Sequence, residues 1–212
     1  STRDAAVRSL TRLGNEVLPM LEGLAMDYYK PESLRNQAWQ VIGNIDTLEA
    51  LEILVNNLIT TWGSTRRCIL RTLLNLYQET GVKRSSIIDS ALDHLLGRKG
   101  IEALIDTEIA FVGQVLAAKV DLNAPATTST EGELLQEALD GLERDAIERL
   151  FMLLRFVSPV NAVQAAQVSL DGSISSWAKG IEILDNVLDI TNKRSFLILL
   201  DRRPVAEKLI RL

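Results

Sequence analysis

Apolar residues recur three or four positions apart along almost the whole chain, and this periodicity limits the fold more than any other feature of the sequence. Such spacing places apolar side chains on one face of an α-helix, whereas β-strands need alternation, and no long alternating segment is present. Pro31 and Pro204 each stand where a helix can begin. The sequence therefore predicts an all-α protein, whose short connections make consecutive helices antiparallel neighbours.

A weak internal repeat extends over the first part of the chain. Aligning three successive helical segments puts Leu13, Ile42 and Leu74 in one register, with steps of 29 and 32 residues. These steps are shorter than the roughly 40–47 residues of long HEAT or armadillo units, and the sequence patterns of ankyrin and tetratricopeptide repeats are absent. We therefore predict a HEAT-like α–α superhelix, a right-handed helical-repeat solenoid of about 11–12 helices. A non-repetitive helical bundle is the alternative.

Changes in composition divide the chain into three parts. Residues 1–120 are assigned to HEAT-like helical repeats, although residues 84–120 depart from the repeat as one long or broken helical stretch. Residues 121–132, DLNAPATTSTEG, are a polar stretch of small residues and predict a linker. Residues 133–212 are predicted to form a second helical-repeat segment, packed as a continuation of the first.

Charge and cysteine content exclude several classes of protein. The net charge is −5 and the sequence pI is about 5.1, so no overall basic field attracts nucleic acid. A single cysteine excludes an internal disulfide and is typical of a reducing compartment. No apolar run approaches the roughly 18 residues of a membrane span. We therefore expect a cytoplasmic chain that does not itself cross a membrane and has no nucleic-acid partner.

No residue pattern indicates a catalytic centre. Cys68 lies on the apolar side of its predicted helix, where a small buried hydrophobe is expected, although Arg66 and Arg67 beside it could lower its pKa. His94 is the single histidine, so a metal site would depend on carboxylates. Phosphate-binding glycine loops and the Gly-x-Ser-x-Gly elbow are absent. We expect neither enzymatic activity nor a bound cofactor or metal.

Opposite charges are concentrated at two places in the second half. Residues 131–150 carry seven acids and two arginines, a pattern interpreted as a solvated helix face rather than a glycosidase-like carboxylate pair. The C-terminal stretch is basic; its cations are Lys193, Arg194, Arg202, Arg203, Lys208 and Arg211. We expect the acidic helix and the basic end to be complementary faces, of one molecule or of neighbouring modules. Contact of the basic end with nucleic acid or anionic lipid is the alternative.

A polar pair interrupts the apolar residues of segment 174–188. Asp185 and Asn186 stand where a looser copy, residues 34–46, has Gly43 and Asn44. A polar pair that recurs at one position of a repeat indicates a structural joint rather than a catalytic site. Both residues are therefore predicted to be architectural.

The helical spacing also predicts the surroundings of Asp185. On a helix of 3.6 residues per turn it aligns with Ile181 and Leu188, at the border of the packed face. A buried carboxylate needs hydrogen-bond donors. We expect those donors to be the backbone amides of residues 191–194 or the guanidinium of Arg155.

The regular repeats also suggest where a partner binds. Extended partners of a solenoid usually lie along the concave surface formed by one set of helices. The second helices of the first repeats, residues 16–29 and 47–61, are the predicted lining. Their polar side chains are the candidate protein-binding residues Glu22, Asp27, Glu49, Glu52 and Asn56. Such a lining favours a basic or polar protein segment and repels phosphate backbones; a merely solvated face is the alternative.

The three tryptophans allow two interpretations. Trp39 and Trp177 fall in the predicted first helices of repeats, and Trp62 falls between two segments. An exposed indole on a groove would be a binding hot spot. Packing at the junctions between repeats is the other interpretation.

The second half of the chain carries a family resemblance. The run ERLFMLLRFVSPVNAVQAAQVSL, followed by WAKGIEILDNVLD and FLILLD, resembles HEAT-repeat regions of bacterial, notably cyanobacterial, transporters similar to the ATP/ADP translocases. In that family an Arg-x-Phe-x-Leu-Leu helix and a Pro precede an Ala-x-Glu-Leu-Leu-Asp-Asn helix. Gly180 stands where the family usually carries Ala, and the Pro expected before Asp201 is missing.

This resemblance implies an accessory or regulatory region of a longer polypeptide, which would be membrane-associated only through the full-length protein and would supply no catalytic residues. The leading hypothesis is a non-enzymatic interaction or regulatory module. Its partner would be a protein, either another segment of the same polypeptide or a membrane transporter domain. One alternative is a HEAT-like subunit of a phycobilin lyase, and another is a helical-repeat nucleic-acid-binding protein.

Overall fold

The computed structural model describes residues 2–45, 47–79, 93–122 and 130–212. All regular secondary structure in these residues is helical, so the predicted all-α class is confirmed for the part of the chain that is described. No helix among them is both long and apolar enough to cross a membrane. The chain divides into two compact units, Ser1–Gly97 and Arg98–Leu212.

The first unit contains five helices with described bounds. They are α1 (Thr2–Leu13), α2 (Leu18–Met26), α3 (Glu32–Asn44), α4 (Leu48–Thr60) and α5 (Gly63–Glu79), and a 3-10 turn, Gly14–Val17, joins α1 to α2. Pro31 directly precedes α3, as expected for a residue without an amide hydrogen. Thr47 caps α4, because its hydroxyl accepts a hydrogen bond from the Ala50 amide at 3.3 Å.

Helix α3 is the centre of the first unit. It packs against α1, α2, α4 and α5, and its Trp39 and Ile42 side chains are fully buried. The close approach of α3 to α5 depends on Gly43, since a Cβ at this position would collide with Thr72 Cγ2. Helices α1, α3 and α5 therefore pack against each other in order along the first unit.

The second unit contains the other helices with described bounds. They are α6 (Gly97–Leu122), α7 (Thr130–Val157), α8 (Val160–Leu170), α9 (Ile174–Val187), α10 (Lys193–Leu200) and α11 (Val205–Arg211). Pro159 precedes α8 and Pro204 precedes α11. Ser173 caps α9 by accepting a hydrogen bond from the Ser176 amide at 3.3 Å.

The structure assigns residues 98–120 to a different domain from the one predicted from the sequence. The sequence assigned these residues to the first domain, whereas in the structure they belong to the second compact unit. Of the predicted linker 121–132, residues 123–129 lie outside the described residues, and the described residues at its two ends belong to α6 and α7.

A buried ion pair joins α6 to α7. Arg149 Nε donates to Glu108 Oε1 at 3.0 Å, and Arg149 Nη2 donates to Glu108 Oε2 at 2.8 Å. The side chains are only 3% and 0% exposed, so both charges are removed from water. The two parallel hydrogen bonds satisfy the carboxylate in a geometry that lysine could not provide. The ion pair therefore fixes the register between the two longest helices of this unit.

Helices α8 to α10 pack around small and aromatic residues. Gly180 of α9 is buried against α8, which is close enough that a Cβ at this position would crowd the Ala166 carbonyl oxygen. The Phe151 ring of α7 meets the Phe196 ring of α10 edge to face, with centroids 5.6 Å apart. These contacts pack α9 against α8 and α10 against α7.

Candidate binding groove

Three C-terminal helices line an open groove of about 340 Å³ in the second unit. Its floor is formed by half-buried apolar side chains, Trp177 and Ile181 from α9 with Leu197 and Ile198 from α10. Residues four apart in α9 share one face, so Trp177 and Ile181 present a continuous apolar strip. The volume lies at the low end of the range for ligand pockets, which suits one or two anchoring side chains.

The indole of Trp177 is held in a fixed orientation. Its Nε1 donates a hydrogen bond to the Leu200 carbonyl oxygen at 3.2 Å. The guanidinium carbon of Arg202 lies 5.5 Å from the ring centroid, a cation–π distance. Arg202 also donates to the Gly172 carbonyl oxygen at 3.1 Å, which ties the end of α10 to the α8–α9 turn.

Charged side chains line the rim of the groove. They are Lys193, Arg194, Arg203 and Arg211, with Asp185 and Asp201 as the carboxylates. Lys193 Nζ lies 3.1 Å from Asp185 Oδ1, and Arg203 Nε lies 3.0 Å from Asp201 Oδ2. Arg194 and Arg211 are exposed and form no ion pair with any described residue. The rim therefore has an excess of positive charge.

The predicted burial of Asp185 is wrong. Its side chain is 61% exposed, and its partner is the Lys193 ammonium, which also donates to the Asp185 carbonyl oxygen at 2.8 Å. The reason is that Asp185 shares the helix face of Ile181, which is only half-buried because it lines the open groove. The buried face of α9 instead contains Gly180 and Leu184.

The other expected partners of the polar pair are also corrected. Arg155 donates to Gln167 Oε1 at 2.8 Å rather than to Asp185. Asn186 is exposed. The Asp185–Lys193 ion pair does link the end of α9 to the start of α10. The architectural role of Asp185 and Asn186 stays a prediction.

The cations of the basic C-terminal stretch lie in two kinds of environment. Lys208 of α11 is half-buried and donates to the Leu199 carbonyl oxygen at 2.9 Å, where a cation suits the C-terminal end of α10. Burial lowers the pKa of Lys208, and the nearby carboxylates of Glu143 and Asp201 only partly oppose this effect. Lys208 and Arg202 thus hold helices together, whereas Arg194 and Arg211 face solvent.

The acidic helix α7 is solvated only in part. Glu133 and Glu137 are exposed, as expected for a solvated face. Asp140 and Glu143 instead bind the ammonium of Lys119, which is buried at the end of α6. Burial by itself would lower the pKa of Lys119, but hydrogen bonds to the two carboxylates outweigh it and raise the pKa. The hydrogen bond from Lys119 lowers the pKa of Asp140.

Two of the predicted protein-binding residues form contacts within the first unit. Glu22 Oε1 accepts a hydrogen bond from Asn57 Nδ2 at 2.7 Å, which links α2 to α4. Asp27 Oδ1 accepts one from the Tyr29 amide at 3.0 Å in the turn after α2. These carboxylates therefore have structural partners.

The three others lie on α4. Glu49 and Asn56 are exposed and Glu52 is half-buried. Neither glutamate forms an ion pair with a described residue. The part of the predicted acidic surface that remains open to a partner is therefore the outer face of α4.

The tryptophans differ in environment. Trp39 is fully buried in α3, which confirms the packing interpretation for this residue. Trp62 is 56% exposed, and the Arg66 guanidinium carbon lies 4.2 Å from its ring centroid. Trp177 contributes a ring face to the groove floor.

Neither Cys68 nor His94 belongs to a catalytic cluster among the described residues. Cys68 is half-buried, and its thiol donates to the Asn36 carbonyl oxygen at 3.6 Å. Burial raises the pKa of Cys68 although the positive charge of Arg71 opposes this effect, so the thiol is neutral at pH 7. His94 is exposed. The described residues include no group of three or more His, Cys, Asp or Glu that could hold a metal ion.

Comparison of the chain with protein-family models, with curated protein sequences and with solved structures finds no match in any of the three.

Proposed function

We propose that the chain is a non-enzymatic protein-interaction module, built as a HEAT-like helical-repeat solenoid, within a larger transporter-like protein. The observation that carries the interaction role is the groove of α9, α10 and α11. It combines an apolar floor with two exposed arginines that have no ion-pair partner among the described residues. Anchoring pockets of protein interfaces combine these features, since the apolar floor supplies affinity and the charged rim supplies specificity.

The packing of the first unit supports the solenoid. In a stack of helix pairs, the first helices of successive pairs contact each other, and so do the two helices within a pair. Helices α1, α3 and α5 follow this order, and α2 is linked to α4 by the Glu22–Asn57 hydrogen bond. The register residues Ile42 and Leu74 are both buried in this stack, whereas Leu13 at the end of α1 is 52% exposed.

The resemblance of residues 133–212 to transporter-associated HEAT regions supports the larger context. In that context the module works on the cytoplasmic side, which agrees with its single free cysteine. The partner is then another segment of the same polypeptide or a membrane transporter domain.

Affinity capture from a lysate of the source cells tests the interaction role. The parent chain is compared with the double variant Arg194→Glu with Arg211→Glu, which reverses the exposed charges of the groove. A matched double reversal, Glu49→Lys with Glu52→Lys, changes the acidic face of α4 instead. All three chains should melt at similar temperatures, because Arg194, Arg211 and Glu49 are exposed and the half-buried Glu52 forms no ion pair with a described residue.

The expected result is a protein that the parent enriches over empty resin and that the groove variant loses. Loss by the α4 variant alone would transfer the binding site to the predicted acidic surface. If the parent enriches no protein over empty resin, the interaction role is wrong.

A further inference from the structure

The groove of α9, α10 and α11 has two ends that differ in chemistry. Trp177, near the start of α9, donates to the Leu200 carbonyl oxygen at the end of α10. Asp185, near the end of α9, forms its ion pair with Lys193 at the start of α10. The two helices therefore run antiparallel, and they place an aromatic ring at one end of the groove and charged side chains at the other.

The length of the groove follows from the helix that forms one of its walls. Trp177 and Asp185 both line the groove and are eight residues apart in α9. At the rise of an α-helix they lie about 12 Å apart along its axis. Ile181 and Leu197 continue the apolar floor between the two ends. An extended peptide covers this distance with about three or four residues.

The charges of the rim favour an anionic occupant. Its two carboxylates already neutralise Lys193 and Arg203. Arg194, beside Lys193 at the charged end, and Arg211 of α11 are exposed and have no ion-pair partner among the described residues. The chain as a whole carries a net charge of −5, so the excess charge of the rim is opposite in sign to that of the molecule. Such a local patch selects a partner segment that carries carboxylates.

The shape of the groove favours a peptide over other anionic partners. Its floor is recessed and its apolar side chains are half-buried, so a flat bilayer surface does not reach Trp177. A phosphate backbone has no group that covers an apolar floor, and Asp185 and Asp201 on the rim repel it. A peptide offers both an apolar side chain for the floor and carboxylates for the rim, and the volume of about 340 Å³ accepts one or two side chains.

We propose that the groove binds an acidic peptide segment of a partner protein, with one leucine- or phenylalanine-sized residue about three or four positions from a pair of carboxylates. The apolar side chain covers Trp177 and Ile181, and the carboxylates bind Arg194 and Arg211. This assignment rests on the proposed function, because it names the chemistry of the partner that occupies the same groove.

Selection of random short peptides displayed on phage tests the chemistry of the occupant with the full chain. The immobilised proteins are the parent, the groove variant Arg194→Glu with Arg211→Glu, and the matched control Lys99→Glu with Lys179→Glu. The control reverses two exposed cations of the same unit that do not line the groove, so its net charge equals that of the groove variant. Circular dichroism checks that each variant keeps the helical content of the parent.

The parent and the matched control should select peptides that combine an apolar residue with aspartate or glutamate at the stated spacing. The groove variant should select peptides with lysine or arginine in place of the acids.

Calorimetric titration with a synthetic peptide from the parent selection measures the effect. This peptide should bind the groove variant at least about tenfold more weakly than the parent, because like charges then face each other. Replacing the acids of the peptide by lysine should restore binding to the groove variant. Replacing its apolar residue by alanine should weaken binding to the parent, because the floor is then left uncovered, and added salt should weaken it as well.

Three results overturn the proposal: no peptide is enriched, the enriched peptides carry no excess of acids, or the parent and the groove variant select the same peptides. If one of these is found but the groove variant still loses a protein captured from the lysate, the groove binds a partner of different chemistry and the interaction role stands. If the parent selects no acidic peptide but binds phosphatidylserine vesicles or an oligonucleotide through Arg194 and Arg211, the rim contacts phosphate groups and both proposals are wrong.

Discussion

Replacing Gly180 by alanine tests how closely α8 and α9 pack. A Cβ at Gly180 would lie 3.0 Å from the Ala166 carbonyl oxygen and 3.2 Å from both Leu170 Cγ and Ser169 Cβ. The carbonyl belongs to the backbone of α8 and cannot rotate away, so the two helices must separate. Such overpacking costs about 1–3 kcal/mol. The higher helix propensity of alanine offsets about 1 kcal/mol, so the free energy of unfolding should fall by about 0–2 kcal/mol.

A second glycine in the same unit provides the control. Gly141 lies inside α7, and a Cβ there would meet nothing within 4 Å. Gly141→Ala should therefore raise the free energy of unfolding by up to about 1 kcal/mol through helix propensity alone. Urea unfolding followed by circular dichroism gives both values. The difference between the two variants isolates the packing cost, for which we expect about 1–3 kcal/mol. If Gly180→Ala stabilises the chain as much as Gly141→Ala, the close packing of α8 on α9 is wrong.

Three further perturbations test other contacts. Arg149→Ala should lower the free energy of unfolding by about 3–5 kcal/mol in urea, because it leaves the buried charge of Glu108 without its partner. Lys119→Met should make the free energy of unfolding fall less steeply as the pH is lowered. The hydrogen bond from Lys119 lowers the pKa of Asp140, so it contributes stability above the ordinary carboxyl value of 3.8, and this stability is lost as the pH falls through the lowered pKa. Melting temperatures of parent and variant should therefore converge at low pH. Asp185→Ala should change the free energy of unfolding by less than about 1 kcal/mol, because the ion pair of this carboxylate is exposed; a larger loss in urea would restore a buried role.

The positions of the helices could be predicted because the signals for them are local. Apolar spacing within a segment shows where a helix runs, and Pro31 and Pro204 each stand directly before a helix. The environment of Asp185 was predicted wrongly for a local reason as well. Asp185 follows Leu184 directly, so it is turned about 100° away from the buried line of Gly180, Leu184 and Leu188 and shares the half-buried face of Ile181.

The contacts of the charged residues could not be predicted, because their partners are distant in sequence. Glu108 and Arg149 are 41 residues apart, and each lies on the buried face of its own helix. Periodicity marks such a residue as buried and in need of a partner, but it does not identify the partner. The basic end was visible in the sequence, yet only the fold separates Lys208, which donates to the end of α10, from exposed Arg194 and Arg211.

The three indole groups provide the most direct test of the central claim, that the groove of α9, α10 and α11 is where a partner protein binds. The measurement is the ¹H–¹⁵N spectrum of the labelled parent chain as the protein captured from the lysate is added. The indole resonance of Trp177 should shift, because its ring lies on the groove floor. Those of Trp39, which is buried, and Trp62, which lies in the first unit, should stay in place. A shift of the Trp62 resonance with Trp177 unchanged would contradict the account.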